Sequence, residues 1–464
     1  MQLIKDIFRV AATNIITLVS NVIIGIILPI YISVAEYGEY RSFLFYASYI
    51  GLLHFGFIDA IYLKYGGITK ETINKTILKK EHVIFLIYQT IISFSLLLIA
   101  VYFENPFFII LSLIILPNNI ASFHKLFYQA TGQFKKYAFA NIMQAILNMS
   151  SIICLIFLDF EFALNYIIVT SIVYFMVLLV VEKDFYSFVR GVKAKGKVNI
   201  LSYNKIGIFV LIGNICAMLI TNIGLWMVQF FFTIEDFAQY AFAVSMMNMI
   251  LLGLNAVGLT LYNYMAKRED ENKIIFIKES LLVIGALAGS AYFVVKLIVN
   301  YFLPDYRESL TIIAISFCMI PYLIVINIIV INLYKVQKKQ QRYFEVVIKI
   351  LILSIFLNAF SVIFYKSMQT LTIATLIVMV LWYIYSTHVE FPFLKGNKKE
   401  LVFLMLHAGF FYFSVNYFEW MVGLILYIFG VLISAIVLYS SNNKYLIKKI
   451  ISFKKSISIV EREL

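Results

Sequence analysis

Charge is scarce in this chain. Asp, Glu, Lys and Arg together make up 14% of its 464 residues, against 62% hydrophobic residues, and the mean hydropathy is +0.91. A soluble globule carries about 25% charged residues, so that class is excluded. Cysteine is nearly absent too. Cys154, Cys216 and Cys318 lie singly in apolar segments with no paired spacing, which excludes a disulfide framework and a cysteine metal site. No Walker A motif occurs and no long polar loop could host a nucleotide-sugar site, so neither a built-in ATPase nor a membrane enzyme of that kind is expected. No histidine–acid or Cys/His arrangement recurs at an exposed face. No cofactor and no metal are therefore expected.

What is present is apolar length. Runs of about 18 residues or more recur from end to end, each long enough to cross ~30 Å of hydrocarbon as a helix. Fourteen spans are expected, at 10–32, 42–63, 83–103, 107–129, 138–158, 162–182, 206–232, 239–264, 280–303, 309–333, 344–365, 370–390, 401–418 and 421–440. The fold class is an all-α polytopic membrane protein. The apolar stretch of the first span is too long for a cleaved signal peptide, and no small-residue cleavage site follows it.

The formal net charge of +13 does not point to nucleic acid, because of where the charges sit. Alternate loops are basic ("TGQFKKY", "EKDFYSFVRGVKAKGKVN", "KVQKKQQRY", "LKGNKKE"), and the others are short and acidic ("AEYGEY", "FENP", "LDFE", "TIEDFAQ"). All but four of the 38 Lys and Arg fall with the basic set and its helix ends; the exceptions are Arg41, Lys296, Arg307 and Lys366. The positive-inside rule then puts both termini in the cytoplasm, and an even number of spans requires them on one side. The tail 441–464 is basic and amphipathic, suited to lying on an anionic inner leaflet.

The chain also echoes itself. Sliding it by 200 residues aligns 5–65 with 205–265 without a gap, matching Lys5 with Lys205, Asn14 with Asn214 and Tyr40 with Tyr240. The outer turn "EYGEY" then meets "DFAQY". A second echo pairs "LFYQATGQFKKYAF" with "NLYKVQKKQQRYFE" after the fourth span of each half. Two pseudo-symmetric six-helix bundles follow, an N-terminal lobe 1–182 and a C-terminal lobe 206–390, joined by the basic linker 183–205. Two extra helices at 391–440 and the tail complete the chain. Parallel repeats of this kind are a transporter architecture with its site between the halves.

The early stretch "NxxxLVSNVIIGIILPIYISVAEYGEYRSF", with its outer turn Tyr37-Gly38-Glu39-Tyr40, resembles the first hairpin of the polysaccharide flippases. These are a branch of the multidrug/oligosaccharidyl-lipid/polysaccharide exporter superfamily. The six-plus-six plan, the two trailing helices and the length fit as well. The resemblance implies translocation of undecaprenyl-diphosphate-linked oligosaccharide across the bacterial inner membrane, by alternating access between two lobes, with a cation gradient as driving force. It implies a lipid-linked oligosaccharide and membrane lipid as partners, with a polysaccharide polymerase and chain-length proteins as further ones, for O-antigen or capsule synthesis. A cation-coupled multidrug antiporter of the same superfamily is the alternative, and a membrane-embedded polymerase a more distant one. Twelve spans and an acidic cavity would mark the antiporter, and a long outer loop the polymerase.

An ionisable side chain inside a span faces protein or water by default, which makes each one a site candidate. In "YIGLLHFGFIDAIYLKYGG", Asp59 is the candidate for sensing a coupling ion. His54 lies five residues earlier, 140° away if the helix is continuous. Lys64 is a phosphate contact or a topology signal, and Arg41 an outer anchor or gate charge. Arg9 and Lys125 are candidate diphosphate contacts, with His124 beside the latter. Pro117-Asn118-Asn119 suits a kinked helix whose amides line a cavity. A small-and-polar stripe, Asn14, Thr17, Asn21 and Gly25, recurs as Asn214, Ala217, Thr221 and Gly224, and means either close packing or a hydrated wall. Lys296 is the most isolated charge, deep in the ninth span.

Overall fold

The computed structural model describes residues 13–267 and 271–439, with side chains of the eighth helix described as far as residue 253. The expected contact Arg9 and the tail 441–464 lie outside the described residues. Among the described residues there is helix and no strand. Among the described residues ten helices are long and apolar enough to cross a membrane: α1 (Thr13–Tyr31), α3 (Lys75–Tyr102), α4 (Pro106–Ala130), α5 (Phe134–Phe157), α6 (Ala163–Phe188), α7 (Ile200–Phe231), α9 (Glu271–Phe302), α11 (Gln340–Phe364), α12 (Met368–Glu390) and α14 (Trp420–Tyr439). Two bent pairs bring the number to twelve: α2 (Val34–His54 with Phe57–Tyr65, bent by 64°) and α10 (Ser309–Phe317 with Ile320–Val336, bent by 45°). The two remaining expected spans are helices as well, α8 (Ile234–Lys267) and α13 (Lys398–Tyr417), but they fall outside the set that passes on length and hydropathy. Every expected span is thus a helix, and the chain is an all-α polytopic membrane protein.

The helices begin where the sequence offers a cap. Asn74 accepts from the backbone N–H of Thr76 and Ile77, Asn105 from Phe108 just after Pro106, Asn199 from Leu201 and Asn397 from Glu400. Each asparagine takes up an N–H that helical hydrogen bonding leaves unpaired. Four helices outrun the expected spans at the basic end by six residues or more: α3 begins at Lys75, α6 runs on to Phe188, α7 begins at Ile200 and α9 begins at Glu271. Residues outside the expected spans, Glu81 and His82 among them, therefore sit on helix. The outward faces are apolar at helical spacing. On α3, Ile87, Ile91, Phe94 and Leu98 are all more than half exposed, which fits hydrocarbon as the outer medium.

The chain divides into two compact units, Met1–Ala256 with Phe344–Leu371 and Val257–Tyr343 with Thr372–Leu464. These boundaries fall within α8, α11 and α12. The first unit has a core built from the basic-end halves of α2, α3, α4 and α6. Phe57 stacks on Phe85 with ring centroids 4.8 Å apart, Phe85 on Phe123 at 5.7 Å, and Ile61, Phe127, Val177 and Phe185 close around them. In the second unit Tyr292 and Phe293 of α9 pack on Phe411 of α13 and Tyr427 of α14.

Candidate functional site

Two cavities open in the first unit, of opposite character. The polar one, about 350 Å³, lies between α1 and α5. From α1 it takes Asn14, Thr17 and Asn21, three members of the stripe read from the sequence. From α5 it takes Tyr137, Asn141, Gln144 and Asn148, which succeed one another at steps of four, three and four. That second stripe has the same spacing as the first and was missed. Its polar residues at one-turn intervals are the signal that would have found it. Ser20 of α1 donates to the carbonyl of Ala145, tying the two walls together (3.2 Å). Gly25, one turn beyond Asn21, behaves differently: a Cβ there would lie 2.6 Å from Met249 Cε. One end of the stripe is therefore a cavity wall and the other a close contact.

Among the described residues, Lys125 brings an ammonium to the wall of this cavity. Its Nζ donates to Gln144 Oε1 at 2.5 Å, from α4 to the α5 wall. Its sequence neighbour His124 points the other way and is fully buried, with Nε2 3.0 Å from Glu182 Oε1 on α6. Adjacent positions on a helix project about 100° apart, so two residues read as one basic spot serve different neighbours.

The second cavity, about 720 Å³, is apolar. Tyr46, Tyr49 and Leu53 of α2, Leu96 of α3 and Phe108 and Ile115 of α4 line it, in the half of the unit away from the basic connections. Beside it α2 breaks. Phe55 (φ 47°) and Gly56 (φ 83°) adopt left-handed conformations, and the chain turns by 64°. Gly56 is required twice over: its φ favours glycine, and a Cβ would lie 2.6 Å from the backbone nitrogen of Ile208 on α7. The carbonyls freed by the break are taken up by side chains. Gln89 Nε2 donates to Leu53 O at 3.1 Å, and Asn119 Nδ2 to Gln89 Oε1 at 2.8 Å and Ile50 O at 3.4 Å. Asn119 is thus fully buried against the break rather than in a cavity wall, while Asn118 on the same turn is half-buried.

The break also corrects the reading of His54 and Asp59. A continuous helix would set them 140° apart, but interrupting it at Phe55-Gly56 brings His54 Nε2 to 3.8 Å from Asp59 Oδ2. His54 Nδ1 accepts the N–H of Gly56 (3.0 Å). Asp59 Oδ2 is buried and makes no hydrogen bond.

The other expected site residues are engaged elsewhere. Lys64 pairs with Glu81 of α3, whose carboxylate is fully buried and also accepts from Tyr65 Oη (2.7 Å) and Tyr203 Oη (2.5 Å). Arg41 donates to Ser245 and lies over the Tyr37 ring. Lys296 donates to the carbonyls of Val415 (2.9 Å) and Phe418 (3.1 Å), which end α13. Asn214 is exposed, and Gly224 at the end of its stripe packs against the Tyr240 hydroxyl.

Among solved structures, the lipid II flippase MurJ in its inward closed conformation matches with a TM-score of 0.66 at 12% identity, over 94% of this chain and 99% of that one. The chain has the fold of that flippase. A MOP-superfamily transporter from Pyrococcus furiosus and a MATE protein in complex with Br-NRF overlay more loosely, at TM-scores of 0.48 and 0.46, each at 12% identity over 84% of this chain and 97% of theirs. No protein-family model matches the chain, and no curated protein matches it by sequence. The flippase resemblance read from the first hairpin therefore holds at the level of fold.

Proposed function

We propose that the chain flips an undecaprenyl-diphosphate-linked oligosaccharide from the cytoplasmic to the periplasmic leaflet of the bacterial inner membrane, supplying O-antigen or capsule synthesis. The observation that carries this reading is the polar cavity between α1 and α5, with the Lys125 ammonium against its wall. Sugars are recognised through amides, hydroxyls and aromatic faces, and the cavity offers Asn14, Asn21, Asn141, Gln144, Asn148 and the Tyr137 ring. An ammonium acts on a diphosphate as a point charge, a role that suits Lys125. The apolar cavity supports the same reading, since the cargo joins a polar head to a long hydrocarbon tail. The fold supports it as well, because the MurJ flippase is built this way.

In this cycle the cavity opens to the cytoplasm, takes up the diphosphate and glycan while the polyprenyl chain stays in lipid, and then opens outward as the lobes 1–182 and 206–390 rock. Asp59 senses the coupling ion, for its buried oxygen at the α2 break makes no hydrogen bond and can take up a proton or a cation.

Complementation of a flippase-null strain, scored by surface polysaccharide, tests the reading. The intact chain restores polysaccharide, Lys125→Met and Asn141→Leu each lower it about 10-fold at equal membrane abundance, and Asp59→Asn removes its dependence on the ion gradient. If the strain stays bare while the chain confers drug efflux, the antiporter alternative takes its place.

A further inference from the structure

The chain has five histidines, and two of them converge on one atom. His82 Nε2 of α3 lies 2.7 Å from Glu182 Oε1 of α6, and His124 Nε2 of α4 lies 3.0 Å from the same oxygen. One ligand atom from each of the three residues falls within 4.8 Å of the others. Both imidazoles are fully buried, while the Glu182 side chain stays partly exposed. Phe123 and Phe185 wall the rings, with centroids 4.4–5.6 Å from them. Neither Nδ1 finds a hydrogen-bond partner, so each ring's polar contact is the one at Nε2.

We propose that His82, His124 and Glu182 form a binding site for a divalent transition-metal ion, zinc by the character of its ligands. Two imidazoles and a carboxylate are a three-ligand set that Zn²⁺ accepts, with water in the fourth position. The exposed side of Glu182 leaves room for that water, and the aromatic walls close the rest. Tetrahedral Zn²⁺ with bonds of about 2.0–2.1 Å needs its ligands slightly further apart than these contacts, so the three side chains open by a few tenths of an ångström to admit it. The charge suits a cation: two neutral rings and one carboxylate carry a single negative charge. The nearby Asp184 is already neutralised by Lys136 (2.6 Å) and receives the Tyr128 hydroxyl (2.8 Å), so it stands outside the set. His82 lies near the start of α3, and His124 and Glu182 near the ends of α4 and α6. All three thus sit at the end of the first unit that carries the basic connections. A bound ion clamps three helices there, next to the Phe57–Phe85–Phe123 stack. The site is independent of the flippase reading, which uses none of its residues.

The test uses the full-length protein, purified in detergent through a histidine-free tag, stripped with chelator and then reloaded with Zn²⁺ or Co²⁺ alone. The wild type takes up one ion per chain, Co²⁺ gives visible d–d bands of a four- or five-coordinate nitrogen–oxygen site, and Zn²⁺ raises the unfolding midpoint by several degrees. His82→Gln, His124→Gln and Glu182→Gln each weaken affinity by at least the ~10–100-fold that loss of an outer partner costs a metal site, whereas His407→Gln leaves it unchanged. A wild type that takes up neither ion overturns the proposal, because it shows a hydrogen-bonded cluster without a cation, and no variant is needed to read that result. Uptake that survives the His82→Gln/His124→Gln double substitution also overturns it.

Discussion

α3 in the first unit and α9 in the second each bury a charge near the start of the helix, and the two charges are of opposite sign. On α3 the charge is Glu81, fully buried, and its partner Lys64 is 38% exposed. On α9 it is Lys278, 1% exposed, and its partner Glu400 on α13 is 5% exposed. Tyrosines complete both clusters: Tyr65 and Tyr203 donate to Glu81, and Tyr383 donates to Glu400 at 2.5 Å. Lys278 Nζ also donates to Leu394 O at 2.6 Å, and its Glu400 contact is likewise 2.6 Å. The pair in the first unit is thus open to water on its cationic side, whereas the pair in the second unit is sealed. Breaking the sealed pair strands a charge with nowhere to go, while breaking the open one leaves Glu81 the hydroxyls of Tyr65 and Tyr203 to compensate.

Three substitutions rank accordingly in unfolding measurements on purified protein. Glu400→Ala has the largest effect, about 3–5 kcal/mol, because it leaves the Lys278 ammonium buried without its counter-charge. The double substitution Lys278→Met/Glu400→Met recovers most of that loss, and its failure to do so would show that packing rather than charge is at stake. Lys64→Met comes next, at about 1.5–3 kcal/mol, since Glu81 keeps two hydroxyl donors. A cost equal to that of Glu400→Ala would erase the distinction between open and sealed. Tyr203→Phe is the smallest at about 0.5–1.5 kcal/mol, one hydrogen bond removed from a carboxylate that retains others.

Much of this was legible without coordinates. All fourteen helical segments were, because apolar length is a local property of the chain. The Asn14–Thr17–Asn21 face was too, because a polar residue each turn in an apolar helix has to meet something other than lipid. Glu81, His82 and Lys278 were not, for they lie just outside the expected spans. A helix that continues past the apolar run carries no hydropathy signal of its own. The break in α2 was half-visible in "HFGF", but its effect on His54 and Asp59 depended on where the backbone turned.

The sequence by itself determined the medium, the number of helices and the alternation of basic and acidic connections. Each of these follows from transferring side chains one by one between water and hydrocarbon. Tertiary structure alone decided which polar groups meet. Lys125 faces Gln144 while His124 faces Glu182, and two histidines from different helices reach one carboxylate oxygen. The reason is physical: inside hydrocarbon a polar group must find a partner across helices, and helix packing, not sequence distance, supplies it.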